Sequence, residues 1–292
     1  MPIVTIGNFD GVHIGHQALV RVASQAAHGG EVVALSFDTH PAGLVRGIAP
    51  ESLTTLDERA LLLGAAGATR VEMLHTTAEL LSLEPESFVK SLHERLKFEA
   101  IVEGRDFRFG KGRAGDVAAL DRMGNAIGFR TIVVEDVEAV LSDGHRVAVR
   151  SSTIRWLLSL GRVADAARML GRPHRVSGVV VEGARRGRTL GFPTANIDVR
   201  GALLPADGVY AVRALSADGS AWPGAASIGT NPMFSGGRRT LEVHVLGLPS
   251  DADLYGQILS VDFTSWLREM MTFDSVDRLV EQIQRDCDRV PA

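Results

Sequence analysis

The hydrophobic rhythm of this 292-residue chain changes once, near Gly171-Arg172-Pro173, and that change limits the folds open to it. Before the break, short apolar runs at residues 3–6, 31–37, 70–74, 100–102 and 131–134 alternate with helical spacing at 15–27, 57–66, 85–96 and 116–126. Pro85 suits a first helical turn, where its missing N–H is not needed. Such alternation predicts a parallel sheet with helices on both faces and ligands at the carboxyl ends of its strands. Two further helical segments, 152–160 and 163–170, lead to the break. After it, runs at 175–182, 208–215, 225–229, 240–246 and 258–263 are β-rich and separated by Gly, Pro, Asp and Ser clusters. That texture predicts a compact antiparallel barrel. Residues 275–290 then read as an amphipathic helix, with Val276, Leu279, Val280 and Ile283 on one stripe. The expectation is an α/β domain over 1–172 followed by an antiparallel β-barrel domain with a C-terminal helix over 173–292, in keeping with roughly 150 residues per domain.

Composition removes several classes of function. A 45% hydrophobic content supports real cores and excludes wholesale disorder. With 31 Lys and Arg against 35 Asp and Glu, the net charge is −4 and the isoelectric point about 6.1, a poor balance for a general nucleic-acid binder. Any anionic ligand must therefore be held by local clusters. The single cysteine, Cys287, excludes an intrachain disulfide and a Cys-rich zinc site. It falls in the last helix and reads as inert. No window approaches ~18 uninterrupted apolar residues, so no membrane span is expected. The first residues lack the basic-then-apolar pattern of a secretory signal, and a cytoplasmic protein is expected. Self-association is left open.

Local chemistry concentrates in a few strings. Gly7-Asn8-Phe9-Asp10-Gly11-Val12-His13-Ile14-Gly15-His16 follows the first strand and opens a helix. Chance would supply roughly 0.03 matches to its His-x-Gly-His core in a chain of this composition. Gly15 lets the backbone approach a phosphate, and the helix start offers free N–H groups. The two imidazoles can donate to phosphate oxygens as charge builds during transfer. The plain alternative is a pair of histidines packing at a helix start. Further on, Arg105, Arg108, Lys111 and Arg113 form a basic cluster on a Gly-rich loop, suited to a phosphate or else simply solvated. Arg150-Ser151-Ser152-Thr153-Ile154-Arg155 brings hydroxyls and an Arg to another helix start. In the second half, Gly183-Ala184-Arg185-Arg186-Gly187-Arg188-Thr189-Leu190-Gly191-Phe192-Pro193-Thr194-Ala195-Asn196 combines glycines, arginines and hard oxygen donors. Leu241-Glu242-Val243-His244-Val245 alternates, which puts Glu242 and His244 on one strand face.

These strings carry a resemblance. The first resembles the His-x-Gly-His nucleotidyltransferases, and in its full length the adenylyltransferase half of bacterial bifunctional riboflavin kinase/FAD synthetases. Ser36-Phe37-Asp38-Thr39-His40-Pro41 and Gly104-Arg105-Asp106-Phe107-Arg108-Phe109-Gly110 agree in the same order. The Pro-Thr-Ala-Asn string looks like the riboflavin kinase motif. Leu204–Tyr210, Ile228–Pro232, Asp253–Gly256 and Leu267–Glu269 continue the match to about residue 288. Thr39 stands where the family usually has Pro, Met233 where Thr is common, and Arg150–Arg155 departs from Ser-Ser-Thr-x-x-Arg.

The resemblance implies a Rossmann-like FMN adenylyltransferase domain and a six-stranded β-barrel riboflavin kinase domain. Its implied substrates are ATP, riboflavin and FMN, with Mg²⁺ as cofactor and neither nucleic acid nor membrane as partner. It assigns His13, His16 and Arg155 to adenylyl transfer and Glu242 to the kinase as catalytic base. It also assigns Gly7, Asn8, Phe9, Asp10, Gly15, Ser151 and Ser152 to ATP and phosphate, and Asp106, Phe107, Arg108 and Phe109 to flavin. In the barrel it implies ATP or flavin contacts at Gly183, Arg188, Gly191, Pro193, Asn231 and Arg268, with the metal at Thr194 and Asn196. A kinase with weak or lost adenylyltransferase activity is the alternative that the altered Arg150–Arg155 segment and Thr39 suggest. A flavin-binding regulator without turnover is a further reading, against which the intact Thr194, Asn196 and Glu242 stand.

Overall fold

The runs Ile-Val-Thr-Ile-Gly and Val-Val-Ala-Leu-Ser-Phe are apolar on both strand faces, which suits the middle of a doubly covered parallel sheet. A computed structural model of the chain describes residues 1–183, 187, 190–230, 239–248 and 253–291. It divides into two compact units, Met1–Ala139 with Arg146–Ser151, and Val140–His145 with Ser152–Ala292.

The first unit contains strands β1 (Ile3–Gly7), β2 (Val32–Phe37), β3 (Arg70–Leu74), β4 (Ala100–Gly104) and β5 (Arg130–Val134). All pair in parallel, in the order β3-β2-β1-β4-β5. Helices α1 (Ile14–Ala26), α2 (Ala42–Arg46), α3 (Leu56–Ala65), α4 (Ala78–Ser82), α5 (Pro85–Leu96) and α6 (Val117–Ile127) connect them. One face buries Val4, Ile6, Val33 and Leu35 against Phe88, Leu92 and Leu120. The other buries Ile3, Val32 and Ala34 against Val20, Ala23 and Leu63. Capping fixes several helix starts: Thr55 accepts from the Glu58 N–H at 3.2 Å, and Asp116 from the Ala119 N–H at 2.8 Å. Because β1 is followed by β2 on one side while β4 lies on the other, the strand order reverses between β1 and β4. Such a switch point opens a crevice at the carboxyl ends of the strands, and the turn after β1 begins there.

A short pair, β6 (Glu138–Val140) and β7 (Arg146–Ala148), forms a separate two-stranded sheet that the sequence pattern did not reveal. Helices α7 (Ser151–Ser159) and α8 (Val163–Leu170) follow. Placed ahead of residue 172 by the sequence pattern, they pack almost wholly within the second unit. The reason is apolar: Val163, Ala166, Met169 and Leu170 are buried along α8, and the turn before it is closed by Trp266. A Cβ at Gly161 would fall 2.3 Å from that ring, so only glycine fits there.

The barrel strands are β8 (His174–Val181), β9 (Ala195–Val199), β10 (Gly208–Ser216), β11 (Ala221–Thr230), β12 (Arg239–Val245) and β13 (Ile258–Arg268). They close antiparallel in the order β10-β11-β12-β9-β8-β13. The α/β domain and six-stranded barrel are thus as expected, with two adjustments. Strand β9 was not among the expected runs, because its polar Asn196 and Asp198 mask a five-residue strand. Strands β11 and β13 also run longer than the apolar runs suggested; Pro223 and Gly224 sit inside β11, at register with Arg213 and Val212. Helix α9 (Val276–Asp288) closes the chain. Its buried side is formed by Leu279, Val280, Ile283, Asp286 and Cys287, whereas Val276 is 59% exposed, since the first turn overhangs the contact. Burial pushes the Cys287 thiol up, in keeping with an inert side chain.

Inside the barrel, Phe263 meets Tyr210 edge-on at 5.2 Å and both are fully buried. Its three tryptophans, Trp156, Trp222 and Trp266, all belong to the second unit. Phe263→Ala is expected to destabilise that unit by about 3–5 kcal/mol. A lower urea midpoint of tryptophan fluorescence checks this; an unchanged midpoint contradicts it.

Candidate active sites

The turn from β1 to α1 is held in a conformation that its own side chains resist. Phe9 and Val12 have φ of 46° and 39°, unusual for non-glycine residues. Asp10 supplies the restraint: its buried carboxylate accepts the Leu53 N–H at 2.9 Å and the Thr54 N–H at 3.3 Å, and pairs with buried Arg59 at 3.4 Å. Arg59 also donates to the Phe37 carbonyl at 2.9 Å, and the Gly11 N–H reaches Thr54 Oγ1 at 3.2 Å. Expected at the nucleotide, Asp10 lies beneath the turn and braces it. Arg59 was not singled out from sequence; an Arg among helical residues carries no local signal of burial.

Above this base, His13 caps α1, its Nδ1 accepting the His16 N–H at 3.2 Å. The neutral His13 ring therefore carries its proton on Nε2. The two imidazoles stack with centroids 3.5 Å apart and planes 17° from parallel, and Phe9 meets His16 edge-on at 5.2 Å. Burial first, then His13 and Arg59, pushes the His16 pKa well below its ordinary value, so the ring is neutral at pH 7. His16 Nδ1 is buried without a hydrogen-bond partner. Gly7 packs against the Phe9 ring, and a Cβ on Gly15 would lie 3.1 Å from His13 Nδ1. Asn8 faces His40, with Nδ2 and Nε2 3.4 Å apart.

Ser151 returns to this turn, donating from Oγ to the Asp10 carbonyl at 2.9 Å. Ser152 is exposed and Arg155 half-buried further along α7, both within the second unit. Arg150, the residue that breaks the family pattern, pairs with Asp106 and with Asp136, the latter at 3.3 Å. Asp106 and Arg108 are exposed, Phe107 is half-buried, and Phe109 belongs to the core, with the Phe107 ring stacked on it at 5.4 Å. Arg105 pairs with Glu135, and Lys111 with Glu84 at 3.1 Å, so half of the expected basic cluster is already neutralised. Behind the loop, buried Glu103 accepts the Ile6 N–H at 2.7 Å where β1 and β4 part. Burial pushes its carboxyl well above the usual range.

The barrel site lies on the outer face of β12. Leu241, Val243 and Val245 are buried, while Glu242 and His244 alternate to the other side and are half-buried. Glu242 stands opposite Asn196 of β9 and Ser227 of β11. Directly opposed residues have Cβ atoms about 4.5–5.5 Å apart, so a carboxylate and a carboxamide share one patch. A Cβ on Gly183 would fall 2.1 Å from Asn196 Nδ2, a close approach that requires glycine. Before Asn196, His244 Nδ1 donates to the Pro193 carbonyl at 2.8 Å, and its ring meets Phe192 edge-on at 5.4 Å. Thr194 is half-buried next to this anchor, whereas Gly191 and Pro193 are exposed. The role of His244 was legible only as a shared face with Glu242. Arg188 and Asn231 lie outside the described residues. Arg268 meets buried Asp286 of α9 at 2.8 Å and lies 5.8 Å from the Phe273 ring centroid.

Among the described residues no group of three or more His, Cys, Asp or Glu side chains is placed to hold a metal ion. The Thr194 hydroxyl and Asn196 carboxamide are hard oxygen donors, with Gly183 against the Asn196 carboxamide and Gly187 near Thr194 Oγ1. That set fits a magnesium ion completed by water and phosphate oxygens.

Asp38 at the end of β2 gives a pH prediction. Burial would raise its carboxyl, but the Thr76 N–H, His75 and the Thr39 N–H outweigh this and hold it at about 2. A depressed carboxylate stabilises the fold above its unfolded value, and this contribution is lost as pH falls through the folded one. Asp38 is thus expected to titrate near pH 2 by carbon-13 NMR, with its share of stability fading between about pH 4 and 2. An ordinary titration near pH 4 contradicts these contacts.

Comparison with known proteins matches one family to each half of the chain. The FAD synthetase family matches residues 2–149 and the riboflavin kinase family residues 170–292. The bifunctional riboflavin kinase/FMN adenylyltransferase of Escherichia coli (strain K12) is 37% identical over 290 residues, covering 97% of this chain and 90% of the relative. The protein of the same name from Haemophilus influenzae is 35% identical over 297 residues, covering 99% and 93%. Among solved structures, one described as a macrolide-efflux protein from Streptococcus pneumoniae is similar at a TM-score of 0.88 and 31% identity, covering 98% of this chain and 92% of that one. Among the described residues no helix is long and apolar enough to cross a membrane. With both halves matched in order and over nearly its full length, the chain belongs to the bifunctional riboflavin kinase/FMN adenylyltransferase family.

Proposed function

We propose that residues 173–292 phosphorylate riboflavin with ATP to give FMN, and that residues 1–172 then join FMN to the adenylyl group of a second ATP. The observation that carries this reading is one chain holding two stacked imidazoles on a glycine-lined turn after β1 and, on the barrel, Glu242 opposite Asn196 beside Gly183. Both reactions consume ATP, which supports a cytoplasmic location. Riboflavin, FMN and ATP are its partners, with no nucleic acid or membrane required.

In the barrel, Glu242 accepts the proton of the riboflavin 5′-hydroxyl as that oxygen attacks the γ-phosphorus of ATP and ADP leaves. Thr194 and Asn196 would hold Mg²⁺, which would supply neutralisation of phosphate charge. Gly183, Gly191 and Pro193, with Arg188 and Asn231, surround the two substrates. Arg268 contributes through its pair with Asp286, which fixes the end of β13. In the first domain, an FMN phosphate oxygen attacks the α-phosphorus of ATP. The α–β bridging P–O bond breaks and pyrophosphate departs. His13 and His16 donate to the oxygens on which charge accumulates, and Ser151 stabilises the leaving group. The turn from Gly7 to Gly15, with Asn8, Phe9 and Asp10, shapes the phosphate cradle, while Asp106, Phe107, Arg108 and Phe109 form the flavin side. Neutral imidazoles suit this role, because donors without a formal charge are less hydrated while empty and need not lose a counterion.

Incubation with riboflavin, ATP and Mg²⁺, followed by chromatography, is expected to yield FMN and then FAD; accumulation of FMN alone would favour a kinase with a lost second activity. His16→Ala is expected to lower adenylyl transfer about 10²–10³-fold while FMN formation continues. Equal loss of both activities contradicts two separate sites. Glu242→Gln is expected to abolish FMN formation yet leave supplied FMN convertible to FAD, and undiminished phosphorylation contradicts its role as base.

A further inference from the structure

Three consecutive residues, Val149, Arg150 and Ser151, join the turn after β1 to the loop after β4, and all three belong to the first unit. The Val149 N–H donates to the Val137 carbonyl at 2.9 Å, and the Val149 carbonyl lies 3.7 Å from where a Cβ on Gly15 would stand. Ser151 Oγ donates to the Asp10 carbonyl at 2.9 Å. The backbone on both sides of Arg150 is therefore fixed against the turn between β1 and α1. From there its guanidinium reaches the β4 loop, Nη1 donating to Asp106 and Nη2 to Asp136 at 3.3 Å. That loop is itself seated on the sheet: the Arg105 N–H donates to the Val134 carbonyl at 3.3 Å, and the Phe107 N–H to the Gly104 carbonyl at 3.0 Å.

We infer that Arg150 is a positioning residue for adenylyl transfer, which fixes the loop carrying Asp106 beside the nucleotide turn and offsets the Asp106 charge where the phosphate of a flavin nucleotide approaches. This role deepens the flavin side of the proposed first site and rests on that reading. Arg150 is the ion-pair partner of both carboxylates, while Arg105 is engaged by Glu135. Without Arg150, Asp106 and Asp136 would set two like charges before a phosphate monoester that carries nearly two of its own. A single exposed ion pair contributes little, but one planar guanidinium spanning two carboxylates from a fixed backbone loses less freedom in doing so. The position that breaks the Ser-Ser-Thr-x-x-Arg pattern thus acquires a task in the same reaction.

Kinetics of Arg150→Gln with supplied FMN and ATP test this. The expected result is a KM for FMN about fivefold above wild type, with KM for ATP within about twofold and kcat little changed. Salt separates a charge role from a packing role. Arg150, Asp106 and Asp136 are 47%, 58% and 48% exposed, so their pairing is screened. The ratio of variant to wild-type KM for FMN is therefore expected to fall below about twofold at about 0.5 M KCl. Arg150→Lys keeps the charge and is expected to stay within about twofold of wild type at low salt. An unchanged KM for FMN in Arg150→Gln, an equal rise for ATP, a rise that salt does not diminish, or a fivefold rise in Arg150→Lys overturns the inference. Should Arg150→Gln melt early, Arg150→Ser, which restores a hydroxyl as in the family pattern, carries the same test with the same expected rise and the same contradicting results. A wild-type chain that phosphorylates riboflavin but never adenylylates FMN overturns the proposed site as well; an active wild type with an unaffected Arg150→Gln overturns this inference alone.

Discussion

The buried pair of Asp10 and Arg59 is the interaction on which the first site depends. A charge pair with both partners this buried is held only if hydrogen bonds complete it, and here the Leu53 and Thr54 amides and the Phe37 carbonyl do so. The pair ties together the ends of β1 and β2, the start of α3 and, through the Asp10 carbonyl, Ser151. With that base fixed, Phe9 and Val12 can be kept at positive φ, and His13 and His16 can be stacked at a helix start without either being charged. The strain is local and the restraint lies beneath it, as expected where a turn must present polar groups outward in a fixed arrangement.

The barrel solves the same problem differently. Its interior is built largely of apolar side chains around Tyr210 and Phe263, and strand alternation puts Glu242 opposite Asn196 on the other face. On that face His244 holds the Pro193 carbonyl, and Gly183 lies against Asn196. Among the described residues near the first site, Arg59, Arg105 and Arg150 already have carboxylate partners.

Much of this was legible in the sequence, and the omissions have physical reasons. The central strands of the parallel sheet were visible because both of their faces are buried, and the helices because their apolar positions recur every third or fourth residue. Strand β9 was hidden by its polar residues Asn196 and Asp198. The β6–β7 pair was hidden by its shortness. The strings carrying His13, His16, Thr194, Asn196 and Glu242 stood out by composition and order. Partners distant in sequence did not: Arg59 is 49 residues from Asp10, and Asp286 is 18 residues from Arg268. Burial also sorts the residues within a motif, which spacing alone does not. Phe109 and Asp10 face the core, whereas Phe107 and His16 keep part of their surface accessible.

The central claim is that one polypeptide carries two distinct triphosphate sites. The most direct measurement is a crystal structure of the chain with a non-hydrolysable ATP analogue and Mg²⁺. The account predicts two bound nucleotides, one with phosphate oxygens within hydrogen-bond reach of the His13 and His16 imidazoles, the other with its metal at Thr194 and Asn196. Nucleotide bound at neither place, or a single molecule bound elsewhere, would contradict it.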